Sequence, residues 1–327
     1  MKRVIIRQPH QLDLIHVDKP ETQHGEVLLK VKVVGICGSD LHVLEGHHPF
    51  VTYPVLPGHE VSGEIIAVGE GVDPALIGKK AVIEPSLPGA GRPRFEPGRY
   101  NIATELKVMG FQAPGAMAEY FAVPLRQLHL IPDDFSHELG ASVEPTAVAV
   151  HGVRLAGSIA GLKVGVIGAG TIGLLVAQVC KTYGAESVTV AEFDEARQQI
   201  AAALGVNATK KLEENAYDVV FECVGLEATI RSAIFACTKG AAVIVMGVFG
   251  KDVSIPVGLI QDWELRLIGS LMYIGDDYRE AIRLLAAEKV RVDTLITHRF
   301  PLEHANEAFD TALKRGAVLK VLLENEG

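Results

Sequence analysis

Two short stretches near the start of the chain concentrate side chains that bind metals and move protons. VGICGSDLH carries Cys37, Ser39, Asp40 and His42, and PVLPGHEVSG carries His59 and Glu60. Thiolate, imidazole and carboxylate are the ligand set of zinc, and three protein ligands leave a coordination position open for a substrate. Spacing alone does not establish that these groups converge. Taken singly, a cysteine closing the apolar run VVGIC reads as core, and Glu144, directly before a proline in VEPTAVAVHGV, reads as the solvated start of a helix.

A second kind of chemistry is written in VGVIGAGTIGLLVAQ, where Gly168, Gly170 and Gly173 follow an apolar run and open a helical one. In the G-x-G-x-x-G pattern the first glycine permits a tight turn, the second lets backbone approach a pyrophosphate, and the third allows close helix–strand packing. Amides at the helix start, at Thr171 and Ile172, then face the anion. The next predicted strand, SVTVAEF, ends at Glu192, where an acid accepts hydrogen bonds from the adenosine ribose and repels an added phosphate, so NAD rather than NADP is expected. Arg197 works the other way, since a guanidinium near the ribose could pair with a phosphate, but in DEARQQ it reads as a solvated helix-surface residue.

The elements that must position these residues fall into two textures. The first third is a series of short β-like runs, VIIRQP, EVLLKVKVVGI, VSGEIIAVGEGV and KKAVIEP, separated by Gly and Pro, which predicts a β-barrel-like domain. From about Lys163 strands alternate with helical stretches (KVGVIGAG, TIGLLVAQVCKTYG, SVTVAEF, DEARQQIAAALG, DVVFECVG, AAVIVMGVFG), the mark of a parallel sheet wrapped by helices. DDYREAIRLLAAEKV and LEHANEAFDTALKRG read as amphipathic helices and AVLKVLLE as a closing strand that returns to the first domain. The 327 residues, 48% hydrophobic and 22% charged, suffice for two domains. A formal net charge of -9 argues against nucleic acid, which is bound largely through clustered Lys and Arg. The apolar stretch 164–180 carries four glycines, Thr171 and Gln178, and is better explained by a strand, a turn and a helix than by a membrane span. Two early basic residues are not followed by an apolar leader, and Cys37, Cys180, Cys223 and Cys237 show no paired spacing, so a cytoplasmic, disulfide-free protein is expected.

The chain resembles the zinc-containing medium-chain dehydrogenase/reductase family. The resemblance rests on the CGSDxH turn, on GHE-x-x-G-x-x-x-x-x-G-x-x-V over 58–72, on AEY-x-x-VP over 118–124 and on the glycine turn. VEPTAVAVHGV is most similar to the branch of sorbitol, threonine and sugar-acid (galactonate-type) dehydrogenases. The resemblance implies a GroES-like catalytic domain over 1–147 and 272–327 around a Rossmann NAD-binding domain over 148–271. It implies Cys37, His59 and Glu60 as zinc ligands, with Glu144 binding zinc directly or holding its water. It further implies Ser39 as the first hydroxyl of a proton relay that passes through the cofactor ribose and leaves by His42, with Val224 and Val248 among the cofactor contacts, and a homodimer or homotetramer. Ser39 could equally cap a short helix begun by SDLH. The implied reaction moves a hydride between NAD and a secondary alcohol of a polyol, sugar or sugar acid.

Two departures from the family pattern stand out. Gly89, Arg92, Phe95 and Ala103 occupy the places where relatives hold a second, structural zinc with four cysteines, so one catalytic zinc per chain is expected. Where sorbitol dehydrogenase-like enzymes carry an Arg-Tyr pair beside the substrate, this chain has Met272 and Tyr273, which keeps Tyr273 as a substrate residue but removes a guanidinium. Arg92, Arg94 and Arg99 are basic, yet read as solvated loop charges. The competing functions are an L-threonine-type amino-alcohol dehydrogenase, a zinc-free enone or quinone reductase, for which Cys37, His59 and Glu60 would be out of place, and a non-catalytic NAD-binding protein.

Overall fold

The computed structural model describes residues 1–89, 98–314 and 316–325. Arg92, Arg94 and Phe95 lie outside them. Two compact units account for the chain: 1–144 with 274–282 and 296–327, and 145–273 with 283–295.

In the first unit the long strand Glu26–Ile36 is the organising element, because its alternation of Val and Leu with Lys buries one face almost completely. It pairs antiparallel with Glu60–Val68, Tyr120–Pro124 and Lys320–Glu324. Lys80–Ile83, Leu128–Leu130 and Ile296–Pro301 complete a seven-stranded sheet, antiparallel except where Ile296–Pro301 runs parallel to Lys320–Glu324. Val27, Leu29, Val31, Ile65, Met117 and Phe309 fill its core. Two registers shape one end of this sheet: Gly35 lies opposite Glu60, and Ile36 opposite Val321. They bring Cys37, Glu60 and Lys320 together there.

The second unit is a six-stranded parallel sheet in the spatial order Asn207–Thr209, Ser187–Ala191, Lys163–Ile167, Tyr217–Glu222, Cys237–Val245 and Arg266–Gly269. Strands covered on both faces need no polar alternation, which is why VGVI, VVF and AAVIV read as unbroken apolar runs. The order, 3-2-1-4-5-6 along the chain, is that of the doubly wound dinucleotide-binding sheet, with its switch point between the first and fourth strands. The stretch 164–180 resolves into the strand Lys163–Ile167, a turn and the helix Thr171–Thr182. Among the described residues no helix is long and apolar enough to cross a membrane, and all four cysteines are free thiols.

The segment 283–295, read from the sequence as part of the first domain, sorts with the second unit. The helix Thr171–Thr182 ties it there: Gln178 Nε2 donates to the Arg291 carbonyl at 3.0 Å, Gln178 Oε1 accepts from the Arg291 amide at 2.8 Å, and Thr182 Oγ1 donates to the Lys289 carbonyl at 3.2 Å. The helix Gly38–Leu44 is present, but Ser39 does not cap it. Cys37 is the N-cap, and its amide donates to Asp40 Oδ2 at 2.9 Å. Glu144 lies in the first turn of the helix Val143–Leu155 and is buried there rather than solvated.

Candidate active site

The end of strand Glu26–Ile36 and the start of strand Glu60–Val68 bring Cys37, His59 and Glu60 together, one ligand atom of each lying within 4.8 Å of the other two. Ligand atoms around a tetrahedral zinc are about 3.5 Å apart, so small side-chain rotations close this cluster on an ion. The donor set and its surroundings fit zinc. His59 and Glu60 are buried, Cys37 is half-buried, and Ser39 Oγ lies 3.8 Å from Cys37 Sγ on the accessible side.

Behind the ligands stands a layer that local motifs do not reveal. Asp40 is fully buried, with Oδ1 3.6 Å from His59 Nδ1, and neither atom has a hydrogen-bond partner among the described residues. A carboxylate facing the far nitrogen of a ligand histidine fixes the ring and leaves Nε2 for the metal. Burial works against the charged form of His59, but the Asp40 carboxylate and the Cys37 thiol outweigh it and hold its pKa well above the usual histidine range. Burial likewise pushes Asp40 up, against the pull of His59. Glu60 is held by Lys320, whose Nζ sits 2.6 Å from each carboxylate oxygen and donates a third bond to the Ile36 carbonyl at 3.1 Å. Gly35 makes room for this carboxylate: a Cβ there would fall 2.0 Å from Glu60 Oε2. Glu144 is buried near enough to bias the ionisation of both His59 and Lys320.

Phe111 packs against His59 on one side, ring centroids 4.9 Å apart, and stacks on His48 at 4.9 Å. It also lines an open cavity of about 260 Å³ with Phe50, Thr52, Leu56 and Gln112. His42 follows Ser39 by one helical turn and keeps a buried Nδ1 without a hydrogen-bond partner among the described residues.

In the second unit each glycine of the turn does separate work. Gly168 has φ +99, outside the range of other residues; Gly170 has nothing within 4 Å of where a Cβ would stand; Gly173 has the Gly168 carbonyl oxygen 1.9 Å from that point. Turn, open approach and close packing are thus met in the expected sequence. Thr171 and Ile172 begin the helix at the switch point. Glu192 Oε2 accepts from the Ala169 amide at 3.0 Å, while Oε1 accepts from Phe193 and Asp194 at 2.8 and 3.0 Å, so its carboxylate is fixed beside the turn. Arg197 Nη1 is 4.0 Å from Glu192 Oε2. Val224 and Val248, just beyond the carboxyl ends of two neighbouring strands, are 40% and 50% exposed. Tyr273 departs from expectation: it is fully buried and offers no accessible surface to a substrate. Gly89 and Ala103, within the described residues, carry no thiol.

The chain is similar in sequence and fold to known proteins. Residues 23–133 match the Alcohol dehydrogenase GroES-like domain family and residues 171–287 the Zinc-binding dehydrogenase family. The chain is 31% identical to D-xylulose reductase of Saccharomyces cerevisiae, over 94% of this chain and 92% of that protein. It is 32% identical to sorbitol dehydrogenase of Gallus gallus, over 98% and 95%. A zinc-binding dehydrogenase of Sinorhizobium meliloti 1021, solved bound to NADP, superposes with a TM-score of 0.92 at 30% identity, covering 99% of this chain and 98% of that one.

Proposed function

The chain belongs to the zinc-containing medium-chain dehydrogenase/reductase family, in its sorbitol dehydrogenase-like branch, and from that premise we propose that it oxidises a secondary alcohol of a polyol, sugar or sugar acid with NAD as hydride acceptor. Its antiparallel unit is the GroES-like one and its parallel sheet the Rossmann one. The observation that carries the reading is the convergence of Cys37, His59 and Glu60 at a half-buried edge beside an open cavity.

In this reading Cys37, His59 and Glu60 would hold one zinc, and Glu144 would bind it directly or hold its water. No four-thiolate zinc accompanies it. Bound zinc supplies Lewis acidity toward the alcohol oxygen, and bound NAD supplies the hydride acceptor. Asp40 keeps the His59 ring oriented, and Lys320 holds the Glu60 carboxylate in place. Ser39 Oγ, beside Cys37, would accept the hydroxyl proton as it gives up its own toward His42 one turn on, which would release a proton to solvent. Phe111 and the cavity wall hold the carbon chain of the substrate.

Glu192 favours NAD. An acid whose oxygens already cap three amides is held in place to take ribose hydroxyls, and a phosphate there would meet its charge. The relative from Sinorhizobium was solved with NADP bound, so membership of the family does not by itself select NAD and the choice rests on this residue. We also place the protein in the cytoplasm as a homodimer or homotetramer: Arg266–Gly269 is an edge strand of the parallel sheet and Val257 nearby is 65% exposed.

The test is to monitor NADH formation against polyols, sugar acids, aldoses and threonine, with and without a chelator. Turnover of a polyol, sugar or sugar acid that a chelator abolishes and zinc restores supports the proposal. A response to threonine alone would replace it with an amino-alcohol dehydrogenase.

A further inference from the structure

A second group of metal-binding side chains stands at the far end of the helix that begins at Cys37. His42, Glu45 and His47 each place a ligand atom within 4.8 Å of the other two. They gather where the helix Gly38–Leu44 stops. Glu45 is its C-cap, Gly46 turns the chain at φ +78, and the amides of His47 and His48 both donate to the His42 carbonyl, at 2.8 and 3.1 Å. This is the left-handed ending of a helix, and it folds His47 back toward Glu45, whose Oε2 lies 3.7 Å from His47 Nδ1. A Cβ at position 46 would meet Pro9 Cγ at 2.9 Å, so the turn is set by backbone and packing and not by the three side chains it presents. Glu45 and His47 reach solvent, with side chains 38% and 67% exposed. His42 is half-buried, and its buried Nδ1 has no hydrogen-bond partner among the described residues.

We propose that His42, Glu45 and His47 form a second divalent-cation site, separate from the Cys37–His59–Glu60 site and filled from solvent, and that its occupation stops turnover by removing His42 from proton transfer. Two imidazoles and one carboxylate suit zinc, cobalt or nickel better than calcium or magnesium. The site lacks a thiolate and is open to water, so it binds more weakly than the resident one and fills only when free metal is in excess. An imidazole nitrogen that coordinates a metal can no longer exchange a proton, which links occupation to inhibition. The binding rests on the geometry alone; the inhibition also rests on the relay role of His42 proposed above.

The experiment takes holoenzyme dialysed to its resident zinc and titrates it with zinc chloride, reading heat and metal content alongside turnover. The expected result is one further zinc per chain, with turnover falling in step. His47→Gln and Glu45→Gln should each keep the resident zinc and the starting turnover but lose both the added uptake and the inhibition. Holoenzyme that takes up no further zinc overturns the site. Added uptake that neither variant reduces overturns its assignment to these side chains. Uptake that both variants abolish, without any loss of turnover, overturns the inhibition and with it His42 as the proton exit, while the zinc ligands of the proposed function are left untouched.

Discussion

Lys320 is a cation with almost no water. Its side chain is 7% exposed, that of Glu60 1%, and the two satisfy one another together with the Ile36 carbonyl. Breaking a buried pair from one side strands the other charge, at a cost of about 3–5 kcal/mol. Lys320→Met is therefore expected to lose stability on that scale in urea unfolding, and the double variant with Glu60→Gln to recover much of it; equal midpoints for Lys320→Met and the parent would mean that Glu60 does not depend on the lysine. Glu144→Gln is expected to lower turnover by about a hundredfold or more while zinc content stays full. Near-normal turnover would remove Glu144 from the chemistry, and loss of metal would make it a ligand. Cys37, His59 and Glu60 were legible because each belongs to a short motif whose spacing is local. Lys320 was not, because in AVLKVLLE it reads as an outward-facing strand residue, and only the register with Ile36 turns it toward Glu60. Asp40 was visible as a residue but its partner was not, since the approach to His59 is made by two separate elements.

At the scale of elements, the turn between Lys163–Ile167 and Thr171–Thr182 was the most readable part of the chain. Two of its three glycines, Gly168 and Gly173, are required by local sterics, and local sterics survive in sequence. Glu192 at the end of the next strand tunes the same turn. Replacing it with alanine removes the repulsion of a phosphate and leaves Arg197 in place, so Glu192→Ala should raise kcat/KM for NADP while lowering it for NAD. A variant that stays strictly NAD-linked would show that the discrimination lies elsewhere. The helix Gly38–Leu44 was harder to read. Seven residues give little periodicity, and a cysteine as N-cap, with Asp40 closing the reciprocal bond, is not the usual signal. The allegiance of 283–295 was illegible for another reason: Gln178 and Thr182 of a distant helix bond to its backbone, and such side-chain-to-backbone ties leave no pattern in the segment itself.

At the scale of the whole molecule, His137 ties the stability of the fold to pH. Burial, with Lys80 and Lys32 nearby, lowers the pKa of His137 to about 4, and the ring is engaged with Ser62 Oγ at 3.0 Å. The unfolded chain protonates this histidine near its ordinary value of about 6.5, so between those two values the unfolded state binds the extra proton. Its contribution to stability is complete above about 6.5, declines as pH falls and is gone below about 4, amounting to up to ~3 kcal/mol. Unfolding free energies of the parent and His137→Gln, measured across that range, should converge as the solution is acidified; parallel curves would refute the assignment. The sheet that carries the metal ligands also imposes an order in time. All the proposed ligands lie within the first 144 residues, yet the counter-ion of Glu60 sits 260 positions further on, in a strand near the end of the chain. During synthesis Glu60 must do without its buried partner until nearly every other residue has been made. Metal loading is then a late event of biogenesis, and a polypeptide cut short before Lys320 should possess every ligand and still fail to retain zinc.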